Sequence, residues 1–235
     1  MAKPVQILDD LGQGLHGPKA MRARLGKEKG TDMLTFFHSP GSCSDGIAFL
    51  LREVGAEFET VIVNVREGAQ HAPTYRARNP KGKVPAIACA DGTVLTEFGA
   101  IAWWLAQRYP QAGLWPDDLT ARFRILEALD FMIGSVHMRG FTFVKVPQKF
   151  IADPAAQLAL RNHGRTEAQK GLTILSEMIG GGDYLLGDFS VADGALFYLL
   201  TWAEAERIDI PANLATCHAR LRARPAGACG GLKAG

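Results

Sequence analysis

Residues 33–108 contain four short β-type runs and two helical patterns in the order β-α-β-β-β-α. This order restricts the fold more than any other feature of the chain. "MLTFF" is an apolar run before the turn-forming "HSPGSCS", and "ETVIVNV" is alternating and β-branched. Between them, "SDGIAFLLREVGAEF" places apolar residues on one helical face, and Gly55 is positioned to end the helix. These segments predict a βαβ unit.

The following segment predicts a hairpin and a second helix. "PAIACA" and "TVLTE" are β-type runs joined by Asp91-Gly92, a strong signal for a tight turn, and a helical pattern comes next. Beyond residue 118 the periodicity is helical throughout, and Ser190 with Asp193 resembles a capping box. The predicted fold is therefore an α/β domain with βαβ-ββα order, followed by an all-α helical bundle.

The chain divides into three predicted parts: a flexible N-terminal extension at 1–32, the α/β domain at 33–110 and the helical domain at 118–225. The first part has no apolar stretch of the kind found in signal peptides, and it carries acidic as well as basic residues, which fits an organelle-targeting peptide poorly. A start codon assigned upstream of a true start at Met33 is the alternative explanation.

Composition excludes several classes of function. The formal charge of +2 is too small to indicate a nucleic acid or an anionic membrane as the main partner, and no apolar run is long enough to span a bilayer. The four cysteines have no paired spacing, which argues against a disulfide scaffold and against a metal site. We expect reduced thiols and a cytoplasmic location. The cysteines are residues 43, 89, 217 and 229.

Cys43 is the first candidate for chemistry, because it lies at the predicted start of a helix. Unpaired N–H groups and the helix dipole favour an anion there. The thiol can then ionise, or it can accept hydrogen bonds while a partner thiolate lies beside it. The nearby Asp45 opposes ionisation, and an inert turn residue is the simplest alternative.

Three further positions are candidates. A cis Val84–Pro85 bond would present the Val84 main chain as a docking edge, whereas a trans, strand-initiating proline is the commoner arrangement. Glu97 either supplies an N-terminal helix charge or binds a ligand ammonium group. His137, in "IGSVHMRGF", is either a packed histidine or a catalytic group.

Taken together, these segments resemble the cytosolic glutathione S-transferases, and the bacterial beta class in particular. The shared motifs are "SPGSCS", "NPKGKVPAI", "DGTVLTEFGAI", "SVHMRGF" and "YLLGDFSVADGALF", in the family's order from residue 33 to about 225. The resemblance implies a thioredoxin-like N-terminal domain that binds glutathione as co-substrate, with no other cofactor. It also implies a helical C-terminal domain that binds the second substrate, and a homodimer.

The resemblance also implies roles for individual residues. Cys43 and His137 correspond to the family's groups beside the glutathione sulfur, and Pro85 corresponds to its cis-proline. The main chain of Val84 corresponds to the part that hydrogen-bonds the cysteinyl portion of glutathione, and Glu97 to the acid that contacts the γ-glutamyl amine. The residues predicted to bind glutathione are Ser42, Val84, Pro85, Glu97 and Phe98.

Two departures from the family pattern bear on function. Phe98 occupies a position where the family has a small residue, so its ring either blocks the γ-glutamyl carboxylate or turns outward. The family's lysine after the second strand is missing, and Arg66 is the nearest cation. We expect conjugation of glutathione to small hydrophobic electrophiles in detoxification. The alternatives are a thiol–disulfide reductase or reductive dehalogenase that uses Cys43, and a non-catalytic binding protein.

Overall fold

The computed structural model describes residues 33–228. The predictions for residues 1–32 and for Cys229 lie outside this range. Within it, no helix is both long enough and apolar enough to cross a bilayer.

The four predicted strands form one mixed sheet with the order β2-β1-β3-β4. The central strand β1 pairs with β2 in parallel and with β3 in antiparallel orientation, and β3 pairs with β4 as a hairpin. Phe36 and Phe37 of β1 are both buried, as expected for a strand with both faces covered. The strands are β1 Leu34–His38, β2 Phe58–Ile62, β3 Ala86–Ala88 and β4 Val94–Thr96.

Helices cover the sheet, and within residues 33–228 they form the regular structure that follows β4. In the α/β part they are α1 Ser44–Glu53, α2 Pro73–Arg76 and α3 Phe98–Arg108. In the helical part they are α4 Leu119–Asp130, α5 Thr142–Lys145, α6 Pro154–Ile179, α7 Val191–Ala205, α8 Ala212–Ala223 and α9 Pro225–Ala228. The predicted thioredoxin-like arrangement followed by helices is confirmed. The domain limits at 110 and 118 stay a prediction, since one apolar core runs through both parts.

Local signals in the sequence correspond to the turns and caps of the structure. Gly55 has a φ of 65° just after α1, and Gly92 has a φ of 84° in the β3–β4 turn, where the backbone favours glycine. The Ser190–Asp193 capping box is present at the start of α7 with both reciprocal hydrogen bonds. These three predictions are confirmed.

One segment that was predicted to be α-helical differs. Phe131–Phe141 continues α4 as a π-helix, whose hydrogen bonds span five residues rather than four. It lies very close to α6, since a Cβ on Gly171 would lie 2.6 Å from Val136 Cγ2, and one on Gly140 would lie 3.0 Å from the Ala168 Cα. His137 therefore leaves the helix from a widened turn.

Candidate active site

The turn that carries Cys43 is held through both backbone polar groups of Gly41. Gly41 adopts a φ of 78°, and its N–H donates to Asp45 Oδ2 at 3.0 Å. The Gly41 carbonyl accepts a hydrogen bond from Trp202 Nε1 of α7 at 2.9 Å. Cys43 then precedes the first residue of α1. The helical part of the chain thus helps to fix the position of this turn.

A buried polar network lies directly under the turn and is centred on Ser44. The Ser44 hydroxyl is 2.7 Å from His38 Nδ1 and 2.6 Å from the Ser42 hydroxyl, and it accepts the Ser39 N–H at 3.1 Å. Burial lowers the pKa of His38 to about 4, so this histidine is neutral near pH 7. The Ser42 side chain, predicted to bind glutathione, is therefore engaged within the turn itself.

The Cys43 thiol is half-buried and lies 3.6 Å from the Val84 carbonyl oxygen, to which it donates. Burial, followed by the charge of Asp45, raises the pKa of Cys43 to about 12. Ionisation of this thiol is thus disfavoured, and the neutral thiol can act as a hydrogen-bond donor.

We expect Asp45→Asn to make Cys43 more reactive. The amide oxygen can still accept the Gly41 N–H, while removal of the negative charge lowers the pKa of Cys43. A fall of one-half to one pKa unit gives a roughly two- to four-fold faster alkylation by iodoacetamide at pH 8, because a lower nucleophilicity offsets part of the gain in thiolate. The rate at Cys43 is measured by peptide mass spectrometry. Asp153→Asn, at the start of α6, is the matched control, and equal rates in the two variants would contradict the role of the Asp45 charge.

The Val84–Pro85 segment lies beside Cys43 with a cis peptide bond, as the resemblance implies and contrary to the trans alternative. Its orientation is fixed by the preceding carbonyl: Lys83 O accepts hydrogen bonds from the Tyr75 hydroxyl at 2.6 Å and from Asn79 Nδ2 at 2.8 Å. Asn79 is itself buried. The Val84 main chain is thus held against the start of α1.

Glu97 lies immediately before α3 in an unusual backbone conformation, with φ 71° and ψ 128°. A positive φ in a residue with a side chain costs about 1–3 kcal/mol, and such residues concentrate at functional sites. The carboxylate accepts a hydrogen bond from Lys81 Nζ at 2.8 Å, in a pair that is more than half exposed. An amine that binds Glu97 would therefore share it with Lys81 or displace it.

Phe98 does not turn outward, which was one of its two predicted orientations. Its side chain is turned inward and is 5% exposed, with its ring 5.4 Å from that of Tyr198. Gly46 of α1 makes room for it, since a Cβ on Gly46 would lie 2.8 Å from Phe98 Cε2. The prediction of an outward ring is wrong, because a complementary glycine opens the core to this ring, whereas blocking of the γ-glutamyl carboxylate stays a prediction.

His137 is partly buried, and its ring is held by two aromatic side chains of α7. Its Nδ1 is 3.2 Å from the Tyr198 hydroxyl, and its ring meets the Trp202 ring edge-on at 4.9 Å. Burial, followed by the charges of Lys83 and Lys145, lowers the pKa of His137 to about 4. The imidazole is therefore neutral near pH 7.

Charges connect these groups into one site. The positive charge of Lys83 acts on both Cys43 and His137: it favours the neutral imidazole of His137 and opposes, without cancelling, the rise that burial causes in the pKa of Cys43. Sequence reasoning missed Tyr198, although its spacing of four residues from Trp202 places both on one face of a helix. It also passed over Lys81 and Lys83, which lie within the quoted motif "NPKGKVPAI".

Three aromatic side chains of the helical part differ in burial. Phe141 and Trp202 are buried in the core, whereas Phe143 is partly buried and packs edge-on against the exposed Phe150. Arg66 lies near the turn, with a terminal nitrogen 3.9 Å from the place of a Cβ on Gly41. Among residues 33–228, no group of three or more His, Cys, Asp or Glu side chains is arranged to hold a metal ion.

Comparison with known proteins identifies the family. Residues 41–108 match the family model for the glutathione S-transferase N-terminal domain. The chain is 31% identical over 200 residues to glutathione S-transferase GstA of Escherichia coli O157:H7, covering 82% of this chain and 94% of that protein.

Solved structures agree with this result. A glutathione transferase homologue from Sulfitobacter with bound glutathione is 29% identical, covers 83% of this chain and 95% of its own, and gives a TM-score of 0.78. The bacterial beta-class glutathione S-transferase of Sphingomonas chungbukensis is 31% identical, with coverages of 83% and 96% and a TM-score of 0.70. The chain therefore belongs to the cytosolic glutathione S-transferase family of enzymes.

Proposed function

We propose that this enzyme conjugates the thiol of glutathione to small hydrophobic electrophiles. The observation that carries the proposal is the position of the Val84 main chain, which is held beside the Cys43 thiol at the start of α1. The main chain of the cysteinyl residue of glutathione can hydrogen-bond to the Val84 main chain as an added strand would. This pairing brings the glutathione sulfur towards Cys43. The solved relative from Sulfitobacter contains bound glutathione, which supports this choice of co-substrate.

The nucleophile in this proposal is the sulfur of glutathione, not that of Cys43. A thiolate is far more nucleophilic than a thiol, and the pKa of Cys43, raised to about 12, keeps this thiol protonated. A protonated Cys43 can instead donate a hydrogen bond to the glutathione thiolate, which stabilises the anion. The same pKa argues against the reductase and dehalogenase alternatives, which need Cys43 as a nucleophile.

Calorimetry and turnover together test the proposal. Reduced glutathione is expected to bind the wild type saturably and to be conjugated to an aryl halide, an epoxide or an isothiocyanate. S-hexylglutathione, whose sulfur is blocked, is expected to bind and to inhibit competitively. Absence of both glutathione binding and conjugation would overturn the proposal. A glutathione adduct on Cys43 after treatment with oxidised glutathione at pH 7 would favour the reductase alternative.

We expect His137→Ala to lower kcat several-fold with little change in the calorimetric affinity for glutathione. A group that acts on the reacting sulfur contributes more in the transition state than in the bound ground state. The exposed His163→Ala is the control, because its ring packs near Phe143 rather than at the site. An unchanged kcat in His137→Ala would show that His137 has a packing role and does not act on the sulfur.

We also propose that the enzyme is a homodimer and that it acts in the cytoplasm, where it removes reactive electrophiles. Support for the dimer comes from the family resemblance and from partly exposed apolar side chains of α3 and α4, namely Trp103, Phe123 and Leu126. Sedimentation equilibrium of the wild type is expected to give twice the chain mass of 25.4 kDa. A monomer at micromolar concentration would contradict this part of the proposal.

A further inference from the structure

Tyr198 is a fully buried tyrosine whose hydroxyl contacts the imidazole of His137. It lies in the middle of α7, with its ring 5.4 Å from that of Phe98 and 5.0 Å from that of Trp202. The ring also borders the first turn of α1, since a Cβ on Gly46 would lie 2.9 Å from Tyr198 Cδ1. Packing on these sides leaves the hydroxyl at a defined place, 3.2 Å from His137 Nδ1.

The donors and acceptors available to the two side chains decide whether the proton between them lies on the Tyr198 hydroxyl or on His137 Nδ1. If the hydroxyl donates to Nδ1, both atoms are satisfied. If Nδ1–H donated to the hydroxyl oxygen, the buried O–H would need another acceptor, and within residues 33–228 the structure gives the Tyr198 hydroxyl no hydrogen bond except that to His137. A buried donor left without an acceptor is strongly unfavourable. The hydroxyl therefore donates, and Nδ1 of His137 accepts.

The neutral imidazole has one N–H, so acceptance at Nδ1 leaves the proton on Nε2. Burial and two nearby lysines keep the ring neutral, and burial raises the pKa of the Tyr198 phenol well above its usual value, so the hydroxyl stays a donor. Trp202 meets the same imidazole edge-on with an interplanar angle of 87°. The tautomer and the orientation of the ring are thus both set by α7.

We propose that Tyr198 is a positioning residue that holds His137 as the Nε2–H tautomer, so that His137 acts as a neutral hydrogen-bond donor and not as a base. The tautomer follows from the contact between the two side chains and from the neutral state of the buried imidazole. The acceptor, the sulfur of glutathione as it carries negative charge, rests on the proposed function. No proton leaves His137 in this role, since the Nε2–H bond is retained throughout.

Trp202 extends this arrangement to the Cys43 turn. Four residues beyond Tyr198 on the same helical face, it contacts the His137 ring and donates to the Gly41 carbonyl. One face of α7 thereby positions both groups that the resemblance places beside the glutathione sulfur. Two neutral donors, the Cys43 thiol and His137 Nε2–H, would then face one anion.

The test combines nitrogen-15 NMR of the histidine rings with steady-state kinetics on Tyr198→Phe. This variant keeps the packed ring and removes only the hydroxyl. Tyr184→Phe is the matched control, because it removes a hydroxyl bonded to Arg224 rather than to His137. The His137 signals are assigned by their loss in His137→Ala.

In the wild type at pH 7 we expect His137 Nδ1 to be unprotonated and Nε2 protonated, with no titration between pH 5.5 and 8. In Tyr198→Phe we expect a mixture of tautomers, a fall in kcat of about three- to ten-fold and a KM for glutathione within about two-fold, as for loss of one hydrogen bond. Tyr184→Phe is expected to leave both the tautomer and kcat unchanged.

Two results would overturn the inference. One is a wild-type His137 protonated at Nδ1 or at both nitrogens at pH 7, and the other is a Tyr198→Phe variant with the wild-type NMR pattern. Because the NMR measurement needs no turnover, failure of the proposed function is seen separately, as a wild type that retains the tautomer but conjugates no electrophile.

Discussion

Asp193→Ala is expected to lower the free energy of unfolding by about 3 kcal/mol at pH 7. The Asp193 side chain is fully buried and accepts the Ser190 N–H at 2.8 Å and the Leu185 N–H at 3.0 Å. Alanine leaves both buried donors unpaired, at about 1–3 kcal/mol each, and relief of the buried charge offsets part of this loss. Urea unfolding followed by far-ultraviolet circular dichroism measures the change.

Two variants separate the capping role from a general effect of losing an aspartate. Asp209→Ala, at an exposed position, is expected to change the unfolding free energy by less than about 0.5 kcal/mol. Asp193→Asn keeps one acceptor oxygen, so it should lose less than Asp193→Ala. A loss in Asp193→Ala no larger than that in Asp209→Ala would show that the capping box contributes nothing.

The pH dependence of Asp193→Asn provides an independent check. Burial raises the pKa of Asp193 to about 6, above its value in the unfolded chain, so the folded state binds the proton more tightly. The stabilisation from this difference is complete below about pH 4 and is lost as pH rises through 6. Wild-type stability relative to Asp193→Asn should therefore fall by about 1–3 kcal/mol between pH 4 and pH 7. A constant difference would contradict the raised pKa.

The sequence predicts those parts of the fold that depend on neighbouring residues. Asp91-Gly92 encodes its turn by backbone preference, and Ser190 with Asp193 forms its cap within one helical turn. The strands and helices follow from hydrophobic periods of two and 3.6 residues. The π-helix over Phe131–Phe141 is not predicted in this way. Its segment packs closely on α6, where Val136 approaches Gly171, and contacts between residues so far apart in sequence are not encoded in local periodicity.

Only part of the candidate site can be predicted from the sequence, because its chemistry also depends on residues that are distant in the chain. Cys43, Val84 and His137 can be selected from motifs, because each motif is a short local string. Their protonation states depend on burial and on charges from other elements, as with Lys83 acting on both Cys43 and His137. A helix start suggests an ionised thiol, yet burial outweighs the dipole at Cys43. The partner of His137 lies 61 residues further along the chain.

Phe98→Ser is expected to destabilise the protein by about 3–5 kcal/mol without tightening glutathione binding. The ring is 5% exposed and belongs to the main apolar core, where it packs on Tyr198 and over Gly46. Serine leaves a cavity of nearly the size of a benzene ring and buries a hydroxyl within it. Urea unfolding gives the loss of stability, and calorimetry below the unfolding transition gives the affinity for reduced glutathione.

Two control variants decide between a core residue and a residue that covers the site. Phe98→Leu retains most of the apolar volume and should lose less than about 1.5 kcal/mol, whereas Phe150→Ser, at a position 52% exposed, should lose little. If Phe98 covered the glutathione site, Phe98→Ser would instead bind glutathione more tightly and keep nearly full stability. Because Gly46 lacks the Cβ that would collide with the ring, the large residue at 98 and the glycine at 46 form one packing unit. We therefore expect loss of the ring to lower the stability of the protein rather than to change its affinity for glutathione.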